Sequence, residues 1–380
     1  MSFMGACVLY GLPFLRVAPN RLVSGESVSF IAVLQGPGWL LVALMATLLL
    51  AAFFKPGRAL LWSVVIVSCV LVSGLIWLAG SYASFVAETE SPLARTSLGG
   101  AFWAVLLLLG LIAADGVQRL RAGNAQRFAV VVAVVGPVGF MLSAGWCDDL
   151  SIMKEYANRS DIFMGVVVRH IQIVMVAAAF TLCIGLPLGW LACQKTRIAG
   201  ALFPLLNIIQ TIPSIALFGL LMAPLALLAA ALPALARAGI SGVGLAPAVI
   251  ALTLYGLLPV VRGTVAGLEQ VPSGVIDAAT GMGMTRLQIF GRIELPLALP
   301  VVLGGVRTAI IQAVGLAAVT ALIGAGGLGA IMFEGLFSSA QDLVLLGVVP
   351  IIALGVLADA VFKALISLAS FTGSGSGMQS

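Results

Sequence analysis

The charged residues that could bind a partner are concentrated in one polar segment, residues 269–296, between two long apolar runs. Only 9% of the chain is charged, yet this segment contains Asp277, Arg286, Arg292 and Glu294. Carboxylates interspersed with guanidinium groups suit ion pairs and hydrogen bonds with another protein. A helix pair lying on lipid is the alternative, although such helices usually carry mostly Lys and Arg on their polar face. The mixture therefore favours a protein-binding surface.

The local sequence of this segment predicts two short amphipathic helices joined by a turn. We predict Ser273 as the N-cap of the first helix. Gly281 and Gly283 then interrupt it, and two glycines this close favour a turn because glycine adopts positive φ at little cost. Thr285-Arg286-Leu287-Gln288 fits a capping box. A second helix is therefore expected from residue 286 to about 295, where Pro296 opens the next apolar run.

Five uncharged polar side chains lie in otherwise apolar runs. Asn207, Gln210, Thr211 and Ser214 fall at i, i+3, i+4 and i+7, which places them on one face of a helix. Gln312 is a similar residue in a later run. These side chains could line a path for a solute, or they could form hydrogen bonds that hold the helices together. The sequence leaves both interpretations open.

Two charged residues lie deep within apolar runs, Arg307 and Asp359. Charges at membrane depth are costly unless they are paired or hydrated. We therefore predict an ion pair between these two residues. The alternative is that the long Arg307 side chain extends to the membrane surface.

The composition indicates a polytopic, all-α membrane protein. The chain has 380 residues, of which 61% are hydrophobic, and it contains 44 glycines. A membrane span needs about 20 apolar residues, and glycine is commoner in such spans than in soluble helices. About ten runs are long enough, or nearly so, to cross. They lie near 2–18, 30–54, 59–80, 97–115, 128–145, 163–192, 200–222, 244–268, 297–322 and 342–367.

The composition also argues against several classes of site. The five cysteines show no paired spacing, and a single His170 excludes a histidine-based metal cluster. The net charge of +5 is spread over short loops, which suits membrane orientation rather than nucleic-acid binding. No catalytic residue and no metal site are predicted.

Basic residues are more frequent in one set of alternate loops, which includes Lys55, Arg119 and Arg286. The positive-inside rule places this set in the cytoplasm. On this map both termini and segment 269–296 are cytoplasmic. The polar stretch 146–161 separates five predicted spans from five, so we expect an accessory membrane region at 1–150 and a working core at 160–370.

The polar segment also contains a spaced motif. Asp277-Ala278-Ala279 is followed by three residues, Gly283, nine further residues and then Ile293-Glu294-Leu295-Pro296. This pattern resembles the cytoplasmic signature loop of ABC importer permeases, which begins with Glu where this chain has Asp. The resemblance implies a type I ABC importer permease core in the C-terminal half. It also implies that Asp277, Ala278, Ala279, Gly283, Ile293, Leu295 and Pro296 belong to a coupling helix that contacts an ATP-hydrolysing subunit.

Neighbouring segments narrow the resemblance to one branch of that family. Residues 209–221, 254–268, 294–309 and 321–329 are similar to permeases for osmoprotectants such as glycine betaine and choline. The implied partners are a cytoplasmic ATPase dimer that carries ATP and Mg²⁺, a second permease chain, identical or related, and an extracytoplasmic solute-binding protein. Membrane lipid surrounds the spans, and the implied location is the bacterial inner membrane. No G-x-x-x-x-G-K-[ST] loop occurs, so ATP hydrolysis is expected on another subunit.

Two rival functions remain at this point. An ABC permease for an amino acid or a sulfonate would share the same motif. An ion-coupled secondary transporter usually carries intramembrane carboxylates, of which Asp359 is the only clear example here. Gly324, Gly326 and Gly329 match G-x-G-x-x-G, but they end an apolar run, so we predict close packing or a bend there instead of a nucleotide site.

Overall fold

The computed structural model of the chain describes residues 8–374 apart from Leu22, Ser24 and Ala238. The chain divides into two compact units, with the boundary between Arg159 and Ser160. Within the described residues, eight helices are long and apolar enough to cross a membrane. The predicted helical membrane fold is confirmed, and two shorter apolar helices, Gly36–Ala51 and Leu328–Phe337, are present besides these eight.

The N-terminal unit combines helices with a small three-stranded sheet that the sequence analysis missed. Its strands are β1 (Leu15–Ala18), β2 (Glu26–Val28) and β3 (Arg95–Leu98), in the antiparallel order β2-β1-β3. Its helices are α1 (Phe30–Val33), α2 (Trp39–Ala51), α3 (Arg58–Thr89), α4 (Gly100–Arg119), α5 (Asn124–Ser143) and α6 (Ser151–Ala157). Phe14 lies under the sheet, 5.1 Å from Phe30 and 5.8 Å from Phe102 between ring centroids.

The first two predicted spans are wrong. The described part of 2–18 contains a strand, and 30–54 is broken by Gly36-Pro37-Gly38 into α1 and the short α2. Glycine and proline disfavour a continuous helix at that point. The prediction of a cytoplasmic N-terminus depended on span 2–18. Instead, β1 pairs with β3, which follows the end of α3 opposite to Arg58.

The C-terminal unit consists of helices. They are α7 (Ser160–Gln194), α8 (Thr196–Thr211), α9 (Ser214–Ala231), α10 (Pro233–Arg237), α11 (Leu245–Glu269), α12 (Ser273–Gly281), α13 (Arg286–Ile289), α14 (Leu295–Val319), α15 (Leu328–Phe337) and α16 (Gln341–Ser374). Helix α11 packs against α7 on one side and α14 on another, and its buried side chains form much of the core. The predicted span 200–222 is wrong, because α8 ends and α9 begins around Ile212 and Pro213.

Close packing of α11 on α14 depends on small residues. A Cβ at Gly263 would lie 2.8 Å from Gly305 Cα, and a Cβ at Gly267 would lie 2.9 Å from the Ala298 carbonyl oxygen. Gly263 and Gly267 form a G-x-x-x-G pattern, which lets two membrane helices approach at backbone distance. The pattern was available in the sequence and was missed.

Candidate coupling surface and translocation path

The polar segment begins with a short helix that ends in a glycine turn. Gly283 has φ +80°, and no atom lies within 4 Å of the position a Cβ would occupy there. Glycine is therefore required by the backbone conformation rather than by a lack of space. The turn lets the Met284 N–H donate to the Ala279 carbonyl at 3.2 Å, which satisfies a helix-end acceptor. Pro272, not Ser273, is the N-cap of α12, so that prediction is wrong.

The turn leads directly into a second helix. The Gln288 N–H donates to Thr285 Oγ1 at 3.4 Å, and the Thr285 N–H donates to Gln288 Oε1 at 2.8 Å, so the predicted capping box is present. Helix α13 does not end near residue 295, as predicted. It passes through a π-helical turn, Phe290–Glu294, and continues into α14.

The π turn has a local cause. Pro296 has no N–H to donate to the carbonyl of Arg292, and its ring crowds that carbonyl. A wider turn avoids the conflict, and the Leu295 N–H donates instead to the carbonyl of Phe290. The chain is therefore helical from Arg286 to Ile323 without a loop.

The surface of this segment combines exposed polar and exposed apolar side chains. Asp277 and Ala278 are exposed, while Ala279 and Ile289 are buried and hold the segment in place. Beside Asp277, three apolar side chains, Val275, Met282 and Leu287, are exposed by 41%, 74% and 80%. Ile293, Leu295 and Pro296 lie at the junction with the span, where Ile293 is half-buried and the other two are exposed.

A pair of hydrogen bonds joins the break between α8 and α9 to α11. Pro259 on α11 cannot donate to the carbonyl of Tyr255, which is therefore left without its helical partner. Gln210 Nε2 donates to that carbonyl at 2.5 Å. In return, the Tyr255 hydroxyl donates to the carbonyl of Ile212, at the break itself. Gln210, beside the α8–α9 break, thus bonds the free carbonyl in α11, and Tyr255, on α11, bonds the carbonyl at the break.

The five predicted path residues do not all converge. Gln312 Nε2 donates to Gln210 Oε1 at 3.4 Å, so these two amides meet. Asn207 Oδ1 accepts a 2.7 Å hydrogen bond from Arg262 Nη2. Thr211 donates to the Ile208 carbonyl of its own helix, and Ser214 is the first residue of α9. Tyr255 and Arg262 were missed, because single residues on a different helix give no periodic signal.

The structure brings Arg307 and Asp359 together. Arg307 Nε donates to Asp359 Oδ1 at 2.6 Å, between α14 and α16. Lys363, four residues after Asp359 on the same helix, lies 2.7 Å from Asp359 Oδ2. The carboxylate is thus shared by two cations. Lys363 was missed as a member of this group, although its i+4 spacing was visible in the sequence.

The glycine-rich turn after α14 is held by the start of α7. Gly324, Gly326 and Gly327 all have positive φ, and Gly329 packs against the Ala318 backbone, in keeping with a bend and close packing. Arg169 Nε donates to the Ala325 carbonyl at 3.0 Å, and His170 Nε2 lies 3.1 Å from the Val314 carbonyl. Among the described residues, no three His, Cys, Asp or Glu side chains are grouped as a metal site.

Two family models match the chain. Residues 185–370 match the model for the binding-protein-dependent transport system inner membrane component. Residues 1–153 match the model for the N-terminal domain of the ABC transporter permease YehY. The two matched regions lie on either side of the boundary between the two structural units.

Curated relatives and solved structures resemble about half of the chain. The osmoprotectant import permease protein OsmW of Salmonella typhimurium is 37% identical over 191 residues, which are 50% of this chain and 84% of that protein. The glycine betaine/carnitine/choline transport system permease protein OpuCD of Bacillus subtilis is 34% identical over 196 residues, 51% of this chain and 78% of that protein. The inward-facing MetNI methionine ABC transporter has a TM-score of 0.48 and 23% identity, over 55% of this chain and 96% of its own.

Proposed function

This chain belongs to the family of binding-protein-dependent transport system inner membrane components, and we propose that it imports a small quaternary ammonium osmoprotectant. It is a permease subunit and not an enzyme. Glycine betaine and choline are the substrate types we expect. The names of its relatives, which specify osmoprotectants, glycine betaine, carnitine and choline, support this substrate class.

The segment 269–296 is proposed to dock on the ATPase subunit. The observation that carries this proposal is the unbroken helix from Arg286 to Ile323. Exposed apolar side chains beside Asp277 provide contact area, and the rod connects that contact to the α11–α14 core. When the ATPase dimer closes, movement of α13 becomes movement of α14 because no loop absorbs it.

The solute path is proposed to run beside the break between α8 and α9. Non-helical backbone at membrane depth is tolerated where it is buried in protein or faces a cavity. Gln210, Gln312 and Asn207 present amide groups there, with Thr211 and Ser214 next to the break. Amides give a zwitterion hydrogen bonds for its carboxylate without a fixed charge to trap its ammonium group.

The assembly and orientation complete the proposal. The family works generally with an ATPase and a binding protein. Here we expect an ATPase dimer carrying ATP and Mg²⁺, a second permease chain and an extracytoplasmic solute-binding protein. We place the protein in the bacterial inner membrane, with 269–296 and the C-terminal end of α16 in the cytoplasm. Strand β1 is then extracytoplasmic.

Uptake measurements test the substrate class. Cells that lack their other betaine importers would express this chain with its partner subunits and be supplied with labelled glycine betaine. We expect ATP-dependent accumulation that excess unlabelled choline or carnitine reduces. Methionine and taurine should not compete. If methionine or taurine competes and betaines do not, the permease assignment stands and the proposed substrate class is wrong.

A further inference from the structure

A long apolar groove lies between α3 and α5 in the N-terminal unit. Its volume is about 610 Å³, and it is lined from Trp62 and Gln126 at one end to Trp77 and Trp146 at the other. Trp62 and Trp77 are fifteen residues apart on one helix, which corresponds to about 22 Å. This length exceeds half of the roughly 30 Å hydrocarbon core of a bilayer. One extended acyl chain of one leaflet therefore fits within it.

Helix α5 borders this groove and buries few of its side chains. Of its described side chains only Met141, near one end, is buried. Most of its other side chains are exposed, Val130 and Val134 are half-buried against α3, and Ala129, Ala133 and Pro137 line the groove with little side-chain volume. The space between the two helices is thus left unfilled by the protein itself.

One end of the groove is strongly basic. Leu120 and Ala122, in the loop between α4 and α5, pack with Trp62 and Val65 at that end. Arg58 lies one helical turn before Trp62 on α3, and Arg127 follows Gln126 on α5. The charged residues of this loop region and of the loop before α3 are Lys55, Arg58, Arg119, Arg121 and Arg127, with Asp115 as the acidic one. Asp115 pairs with Arg119 at 2.8 Å, so most of the positive charge is not neutralised within this region.

Arg121 occupies an unusual backbone position at this end. Its φ is +48°, in the left-handed region, where a helix C-terminus ordinarily has glycine. The side chain is exposed, so packing does not explain why an arginine stands there. A charge needed at the mouth of the groove does explain it.

We propose that the groove between α3 and α5 binds an anionic phospholipid, with its phosphate at Arg58, Arg121 and Arg127 and an acyl chain between the helices. Basic residues at the cytoplasmic end of membrane helices attract anionic headgroups. The lipid belongs to the leaflet on the basic side, which is the cytoplasmic one by the positive-inside rule. It fills the gap beside α5, most of whose side chains are exposed.

The test is retention and titration of lipid on the purified full-length protein. Native mass spectrometry would count the phospholipids that survive mild detergent extraction. The delipidated protein would then be titrated with phosphatidylglycerol, with phosphatidylcholine of the same acyl chains and with glycerol 3-phosphate. We expect phosphatidylglycerol to bind at least tenfold more tightly than phosphatidylcholine, and glycerol 3-phosphate not to bind.

Variants separate binding from folding. Arg121→Gly removes the left-handed strain, so it should raise the unfolding temperature while weakening phosphatidylglycerol binding. With Arg127→Gln added, the loss should reach about 30-fold, since each basic residue near the surface contributes about 1 kcal/mol, or about fivefold in affinity. Ser339→Gly is the matched control, because Ser339 is the other described non-glycine residue with positive φ and lies far along the chain. It should leave lipid binding unchanged.

A third variant tests the groove itself. Ala133→Trp fills the space between the helices and should reduce binding of both phospholipids. Unchanged phosphatidylglycerol binding in the two-arginine variant would overturn the proposal. So would equal binding of phosphatidylcholine, or binding of glycerol 3-phosphate as tight as that of the lipid. If a cysteine at position 133 cross-links to another polypeptide, the groove is a protein interface instead.

Discussion

At the scale of the residue, Gly283 illustrates how a single backbone angle supports the coupling segment. Its φ of +80° is unfavourable for residues with a Cβ, while open space surrounds it. Gly283→Ala should therefore destabilise the turn by about 1 kcal/mol and lower uptake. Gly281→Ala is the matched control, because Gly281 also has open space but not a positive φ. Labelled-solute uptake, normalised to the amount of protein in the membrane, makes the comparison. Equal loss in both variants would show that the turn geometry is not what matters.

The hydrogen bond from Gln210 to the Tyr255 carbonyl gives a second prediction at this scale. Gln210→Leu leaves that carbonyl without a partner, at a cost of about 1–3 kcal/mol. Pro259→Ala restores an N–H that can donate to the same carbonyl. The double variant should therefore recover much of the stability that Gln210→Leu loses, as measured by thermal unfolding in detergent. If the two losses simply add, Gln210 does not compensate for Pro259.

The Arg307–Asp359 ion pair gives a third prediction at the scale of the residue. Reversing either charge alone places like charges together at membrane depth and should lower the amount of protein in the membrane severalfold. Reversing both charges restores the pair. The cation at position 359 would, however, then lie beside Lys363, whose Nζ is 2.7 Å from the present Asp359 carboxylate. Full recovery should thus require Lys363→Glu as well. Quantitative immunoblots of membranes would show whether the triple variant exceeds the double one.

At the scale of the element, the rod from Arg286 to Ile323 explains how the coupling segment could move a span. Insertion of two glycines between Phe290 and Gly291 should interrupt that rod without altering the exposed surface at Asp277 or Met282. We expect the ATPase to remain bound and to hydrolyse ATP, while uptake falls to background. The same insertion in the loop at 52–57 is the control. Retained uptake with the glycines at 290 would mean that the rod does not transmit the movement.

Elements set by local chemistry were predictable, and elements set by distant contacts were not. The capping box at Thr285 and the turn at Gly283 follow from residues within four positions of each other, and both appeared in the sequence. The continuation of α13 into α14 could not be predicted, because Pro296 suggested the end of a helix. The structure instead accommodates Pro296 with a π turn. Strand β1 was also missed, since its nearer partner β2 has only three residues and its other partner β3 lies about eighty residues away.

The same distinction applies to the candidate path. The stripe from Asn207 to Ser214 was visible from helical spacing, yet the partners of Asn207 and Gln210 lie on α11. The chain breaks before Pro213 because Ile212 takes an extended conformation. Only the packing of α8 against α11 reveals which groups meet.

At the scale of the whole molecule, the number of candidate spans gives a prediction of the membrane sides on which Glu90 and Arg286 lie. Between Glu90 and Arg286, five described helices are long and apolar enough to cross the membrane: α4, α5, α7, α9 and α11. An odd number of crossings separates the two positions. With the positive-inside rule, we predict that Arg286 lies in the cytoplasm and Glu90 outside.

Labelling of single cysteines tests this arrangement in intact cells. Cysteines introduced at 90 and 286 would be treated with an impermeant maleimide, in a chain in which Cys7, the exposed Cys183 and the partly exposed Cys193 are replaced by Ser. Position 90 should react directly and position 286 only after permeabilisation. Cys147 can remain, because burial and the neighbouring Asp148 carboxylate raise the pKa of its thiol and keep it protonated near neutral pH. Its labelling should rise only as the pH is raised. Labelling of both positions from outside would require an even number of crossings, and the coupling segment could then not reach a cytoplasmic ATPase.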